Sequence, residues 1–343
     1  MRRIMKRILQ YTLATLTLIK LKLRREPQLI ILTYHRILPF TDSRRHTEQP
    51  GMIITPEGFR SNINTMLRIG AQPVTIEAWH KQKATLTKQP KLSFSITFDD
   101  GWLDNYQHAY PVLKEYNIPG MIFLVSHFIN TDHVFWPERL ISLVLDTHKT
   151  DKTLFQHKSF KWLTELHINY IFDQSITPSI EDADKIICAV KKHYNDNEIN
   201  QKIDICLPLL THQPSTTMPR RQILNQSEIK EMIQSGLMSA GSHTINHLRL
   251  NMIPEKALEN EIIGSKSTLE TMLKVKIDTF CYPNGDQSEA ANQLVQEHYS
   301  YACTTKKGIN VASSLPHQLM RFNLHDGNAK DSIALLATIH SWG

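Results

Sequence analysis

The segment Leu92-Ser-Phe-Ser-Ile-Thr-Phe-Asp-Asp-Gly101 constrains this chain more than any other. Leu92, Phe94, Ile96 and Phe98 alternate with Ser93, Ser95 and Thr97, the period of a β-strand, which puts Asp99 and Asp100 at its C-terminal tip. Chemistry in α/β enzymes collects at such tips. Successive strand residues point to opposite sides, so two adjacent carboxylates suit two separate tasks, one holding a metal and the other moving protons. The plainer alternative is a strand followed by an Asp-Gly turn.

A second segment, Leu237-Met-Ser-Ala-Gly-Ser-His243-Thr-Ile-Asn-His247, is again a short apolar run, now ending in two histidines four apart. Imidazoles at that spacing face one ion if the backbone between them is helical, and neutral imidazole is a good ligand for zinc or a similar divalent ion. With 17 histidines in 343 residues, roughly one such pair arises by chance, so the strand-like run before it carries the weight. Asp100, His243 and His247 together compose a two-histidine, one-carboxylate set that leaves positions open for water, the make-up of a catalytic site.

These residues resemble a known family. Thr97-Phe-Asp-Asp-Gly101, Ser242-His-Thr-Ile-Asn-His247 and Phe280-Cys-Tyr-Pro-Asn-Gly285 are similar, in order, to three motifs of the polysaccharide deacetylases (the NodB-homology, carbohydrate esterase 4-like group). The resemblance runs from residue 29 to residue 325 and implies an α/β fold, a distorted, incomplete (β/α) barrel of about seven strands. It further implies hydrolysis of N-acetyl groups on an amino sugar of a cell-surface polysaccharide or its lipid-linked precursor. One divalent metal would serve, zinc first and cobalt or nickel as alternatives.

Carried over residue by residue, the resemblance makes Asp99 the general base and Asp100, His243 and His247 the metal ligands. Asn284 would hold the oxyanion through its backbone N–H, with Tyr282 and Pro283 beside it. A branch with permuted motif order supplies the general acid from a Tyr-His pair on the first strand, and Leu29-Ile-Ile-Leu-Thr-Tyr-His35 is similar to it. His325, in Asn323-Leu-His-Asp326, is the alternative acid, and the strand-tip position favours His35. Cys281 stands where the family often has an arginine that orients the base; Arg321 is the expected replacement. The same site would also suit removal of a formyl group or an O-acetyl ester, and a sugar-binding protein on a decayed scaffold is the reading from a different class.

A net charge of +6 says little about an acidic substrate, because Arg2, Arg3, Lys6, Arg7, Lys20, Lys22, Arg24 and Arg25 crowd the N-terminus. No nucleic-acid motif accompanies them, so no nucleic-acid partner is expected. Residues 1–28 form a basic, moderately apolar segment, too short and polar in its Ile8 to Ile19 run to span a bilayer. No small-residue cleavage site precedes Lys20 to Arg25, so contact with an anionic membrane surface is one expectation and a helix packed on the barrel the other. Four cysteines without paired spacing favour reduced thiols. The expected location is cytoplasmic or peripheral to the cytoplasmic membrane, with an exported, membrane-anchored form as the alternative.

Strand-like and helix-like stretches alternate along residues 29–343, which argues for a parallel α/β architecture. The alternation lapses over about residues 127–226, which read as an inserted helical subdomain. At its entrance Trp136 is a candidate for stacking on a sugar of an acetylated glycan or glycolipid.

Overall fold

Short apolar runs between turns make the strands of this protein, and amphipathic stretches between them make the helices. A computed structural model describes residues 2–23, 25–84, 90–166, 178–210 and 221–340. The strands are β1 (Gln28–Tyr34), β2 (Arg36–Ile37), β3 (Ile53–Ile54), β4 (Gln72–Pro73), β5 (Leu92–Phe98), β6 (Gly120–Leu124), β7 (Met238–Ser242), β8 (Thr279–Cys281), β9 (Tyr301–Cys303), β10 (Asn310–Val311) and β11 (Phe322–Asn323). The helices begin with α1 (Arg2–Leu23), α2 (Pro56–Arg68), α3 (Ile76–Ala84), α4 (Tyr110–Tyr116), α5 (Trp136–Thr150), α6 (Lys161–Thr164) and α7 (Ile180–His193). They continue with α8 (Asp196–Cys206), α9 (Gln226–Gln234), α10 (Glu255–Glu259), α11 (Ser265–Leu273), α12 (Glu289–His298), α13 (Asp326–Ala329) and α14 (Ser332–His340).

Two units result. The first comprises Met1–Pro39, Gly51–Thr131 and Ile223–Gly343, and it holds the main sheet. Its strand order is β10-β1-β5-β6-β7-β8-β9, with β4 on β5 and β11 on β1, and every neighbouring pair is parallel except β1 with β10. The sheet curls into a distorted, incomplete (β/α) barrel. Its two ends are joined by one stretch of chain, in which Leu319 bridges Cys303 of β9 and β11 then runs beside β1. Arg321 therefore sits between the ends of the sheet.

All seven residues of β5 are buried, on both faces. Leu92, Phe94, Ile96 and Phe98 join the large core under the helices. On the other face Thr97 shares a 2.9 Å hydrogen bond with Thr33, so the serines and threonine of the alternation line the inside of the curl, where small side chains fit. Ile76 and Trp79 of α3 pack there with Leu29, Ile31, Phe123, Cys281 and Cys303. Gly241 of β7 allows close approach at this point, since a Cβ would lie 2.5 Å from the Phe123 ring and 2.9 Å from the Thr279 carbonyl oxygen.

The second unit comprises Phe40–Pro50 and Asp132–Gln222. It is narrower than the expected insertion, and it recruits an eleven-residue loop that no helical pattern announces. Its core is its own, built from α5, α7 and α8 around residues such as Leu140, Val144, Ile186 and Ile199. Capping boxes at Ser179–Asp182 and Asn195–Glu198 start α7 and α8; each such cap is worth about 1 kcal/mol. Trp136 belongs to this core at 7% exposure, with its indole N–H donating to Asp196 at 2.9 Å and the Lys191 ammonium over its ring. The expected stacking surface is thus corrected: burial and a satisfied N–H make Trp136 an anchor of the helical unit.

Candidate active site

Asp99 continues the inward face of β5, its N–H held by the Tyr34 carbonyl at 3.0 Å. Arg321 meets it with a fork: Nη1 donates to Oδ1 and Nη2 to Oδ2, both at 2.8 Å, while Nε is satisfied by the Thr304 carbonyl at 2.9 Å. Both residues are buried. Burial alone pushes the Asp99 carboxyl up, but the guanidinium outweighs it and holds the group below the usual carboxylate range. Cys281 lies beside the pair, its sulfur accepting from Arg321 Nη2 at 3.0 Å, and burial pushes its thiol up so that it stays neutral. His35, at the end of β1, brings Nε2 to 3.8 Å from Asp99 Oδ2.

Asp100 leaves the strand. Its φ of 74° and that of Gly101 at 79° place two successive residues in the left-handed region, the second at no steric cost. The turn swings the Asp100 carboxylate away from Arg321 and toward the histidines. Trp102 Nε1 donates to its Oδ2 at 3.0 Å. Its Oδ1 is buried without a hydrogen bond and lies 3.4 Å from Nε2 of both His243 and His247.

Those distances fit a metal ion. Ligand atoms about 2.0–2.1 Å from a tetrahedral centre are about 3.3–3.4 Å apart, and an orphaned carboxylate oxygen between two imidazole nitrogens is the donor set such an ion takes. His243 Nδ1 is paired with the Cys281 carbonyl at 2.7 Å, which leaves Nε2 as the free lone pair. Asp99, His243 and Cys281 also cluster closely enough to hold an ion. There, however, both Asp99 oxygens are engaged by a guanidinium whose charge repels a second cation.

The histidine segment is not a helix. After β7 the chain turns irregularly, with Thr244 at φ 68° and His247 at φ 57°, and these two left-handed residues fold the imidazoles back to ring centroids 4.9 Å apart. Such conformations cost about 1–3 kcal/mol each and persist where the surroundings over-determine them. Here Thr244 Oγ1 accepts the His247 N–H at 2.9 Å. The buried carboxylate of Glu261 accepts from Ile245 N (3.1 Å), Asn246 N (2.9 Å) and Asn246 Nδ2 (2.7 Å).

Comparison with known proteins decides the family. The polysaccharide deacetylase family model matches residues 87–302, more than half of the chain. The chain belongs to the polysaccharide deacetylase family. It is 26% identical over 289 residues to the "Putative polysaccharide deacetylase YxkH" of Bacillus subtilis, covering 84% of this chain and 68% of that one. It is 33% identical over 109 residues to the poly-beta-1,6-N-acetyl-D-glucosamine N-deacetylase of Staphylococcus epidermidis, covering 30% and 37%. Among solved structures, the deacetylase PplD of Streptococcus pyogenes superposes with a TM-score of 0.58 at 19% identity, covering 92% of this chain and 99% of that one. IcaB of Ammonifex degensii superposes at 0.57 with 18% identity, covering 92% and 98%.

As a member of this family the deacetylase is a hydrolase of acylated glycans, and its remaining candidate residues divide by exposure. Asn284, at φ 55° in the turn after β8, is exposed. Tyr282 and Pro283 are buried, Tyr282 in the core against Phe280, so they support this turn and offer a sugar no surface. His325 caps α13 through Nδ1, which accepts the Gly327 N–H at 3.2 Å, and burial pushes its imidazole down. Four residues escaped the motif reading. Arg36 lies 3.9 Å over the Trp102 ring, pairs with Asp104 at 2.9 Å, and Asp104 accepts the Ile37 N–H at 2.7 Å. Asn105 holds the His35 carbonyl at 2.8 Å. For Trp102, Asp104 and Asn105 the one sequence signal was the run Gly101-Trp-Leu-Asp-Asn105, polar and aromatic where a plain helix start would do.

Proposed function

We propose that this deacetylase removes N-acetyl groups from an amino sugar of a cell-surface polysaccharide or of its lipid-linked precursor, using one divalent cation held by Asp100, His243 and His247. The observation that carries the proposal is the division of labour at the β5 tip. One carboxylate is locked by Arg321, and its neighbour lies between two imidazoles with an oxygen to spare. When bound, the ion would polarise the acyl oxygen and acidify a water. Asp99, kept ionised by Arg321, accepts the proton of the attacking water. The N–H of Asn284 helps hold the developing oxyanion. His35 gives a proton to the nitrogen as the C–N bond breaks, and acetate and the free amine leave. The N-acetylglucosamine polymer named for the Staphylococcus epidermidis relative supports an amide substrate. Four free thiols support a reducing, cytoplasmic setting.

The test is release of acetate from a panel of N-acetylated glycans and lipid-linked amino sugars, with formylated and O-acetylated analogues alongside. Acetate from the amides, abolished by chelator and restored by Zn²⁺, Co²⁺ or Ni²⁺, is the expected result. Faster turnover of the formamides or esters would move the assignment to those substrates. Silence on the whole panel with metal present would overturn it.

A further inference from the structure

We propose that α1 and the cleft at its C-terminal end form a docking surface for an anionic lipid bilayer. The inference stands apart from the deacetylase reading, since none of the residues involved touches the site. Two faces of α1 are apolar. One side packs on α14: Ala14 and Thr17 are buried, Thr17 Oγ1 donates to the Leu336 carbonyl at 2.8 Å, and Arg7 pairs with Asp331 at 3.0 Å. The opposite side should be polar if it faced water. Instead Ile4, Met5, Ile8, Leu9, Ile19 and Leu23 are each 49% to 74% exposed. At 3.6 residues per turn they fall within an arc of about 140° along the whole helix. Even the hydroxyls in this arc are turned inward, Thr12 donating to the Ile8 carbonyl at 3.2 Å and Thr15 to that of Tyr11 at 3.0 Å.

Charge names the occupant. The first 25 residues contain eight Lys and Arg and no Asp or Glu, so with a total of +6 the rest of the chain carries 6 − 8 = −2. Lys20 borders the apolar arc on one edge and Lys22 on the other, both exposed. At the same end a cleft of about 550 Å³ is lined by Leu18, Leu21, Ile69 and Leu92 and rimmed by Lys22, Arg68 and Lys91. Those three cations come from three separate segments, and none is in an ion pair among the described residues. An apolar floor under converging cations suits the glycerol-phosphate region of an anionic lipid. A second copy of the chain would set these basic segments against each other. No described helix is long and apolar enough to cross a membrane, so α1 would lie in the interface plane. It runs from Asp331, at the start of α14, to Lys91, just before β5.

Co-sedimentation of the full chain with phosphatidylglycerol–phosphatidylcholine vesicles, and with phosphatidylcholine vesicles alone, tests this. The expected result is binding to the anionic vesicles that weakens in high salt. Ile8→Glu/Ile19→Glu should lower it more than tenfold, and Arg68→Glu/Lys91→Glu should lower it by roughly fivefold for each cation removed, with circular dichroism unchanged. Equal binding to both vesicles, or binding indifferent to the Arg68 and Lys91 changes, would overturn the lipid assignment. So would a chain that ignores vesicles and sediments as a dimer, dissociated by Ile8→Glu/Ile19→Glu.

Discussion

Asp99 and Asp100 differ by one residue and are held for different work because one keeps the strand conformation and the other does not. The alternation of β5 marked the two carboxylates as a strand tip, and Cys281, where the resemblance implied an arginine, pointed to Arg321 as a replacement. Arg321 was findable only as a basic residue before an apolar stretch; that it forks onto both Asp99 oxygens depends on how the sheet ends meet, which no local pattern encodes. Asp99→Asn should keep metal affinity and lose activity by roughly 10²-fold or more, because an amide cannot take the proton. Arg321→Ala leaves a buried carboxylate uncompensated and should cost about 3–5 kcal/mol in denaturant unfolding. A loss under 1 kcal/mol would mean the pair is not buried in solution. For the acid, His35→Ala should abolish amide turnover while sparing an activated ester, whose leaving group needs little protonation, and His325→Ala should keep amide turnover within a few-fold. The reverse pattern would make the α13 cap the acid.

At the scale of elements, the alternation over Leu92–Phe98 is a strand along its whole length, because pattern and length agree there. Helix starts are set by side chains that reach their own backbone, which apolar periodicity does not register. Asn225 caps α9, because its carboxamide accepts the Glu228 N–H while Glu228 returns the bond. β4 is only two residues long, since Ile76 already opens α3. The histidine segment is the instructive case. Spacing of four suggested helix, yet the imidazoles converge through left-handed Thr244 and His247, fixed from α10 to α11 by Glu261 across a sequence gap that short-range periodicity cannot bridge. Glu261→Ala removes the acceptor for three N–H groups under this turn, and metal affinity by titration calorimetry should fall about 10–100-fold, the usual cost of losing a residue that orients ligands. Unchanged affinity would show that the turn holds its shape without it.

On the scale of the whole molecule, the fold class was legible because α/β alternation survives a long interruption, and the interruption itself marked the second unit. What composition left hidden was that this unit is independently packed. Among the described residues its core shares none with those of the barrel, and it takes in Phe40–Pro50 from elsewhere in the chain. Separate cores predict separate unfolding, and a ligand stabilises only the state that binds it. Since Asp100, His243 and His247 all lie in the barrel unit, calorimetric unfolding should show two transitions, of which zinc raises one. At a hundredfold excess over the dissociation constant the gain is about 2.7 kcal/mol, which for a unit of this size moves its midpoint up by several degrees. In His243→Ala the same transition should no longer respond to zinc, while the transition of the helical unit stays where it was. A single transition that zinc shifts as a whole would mean the two cores unfold together.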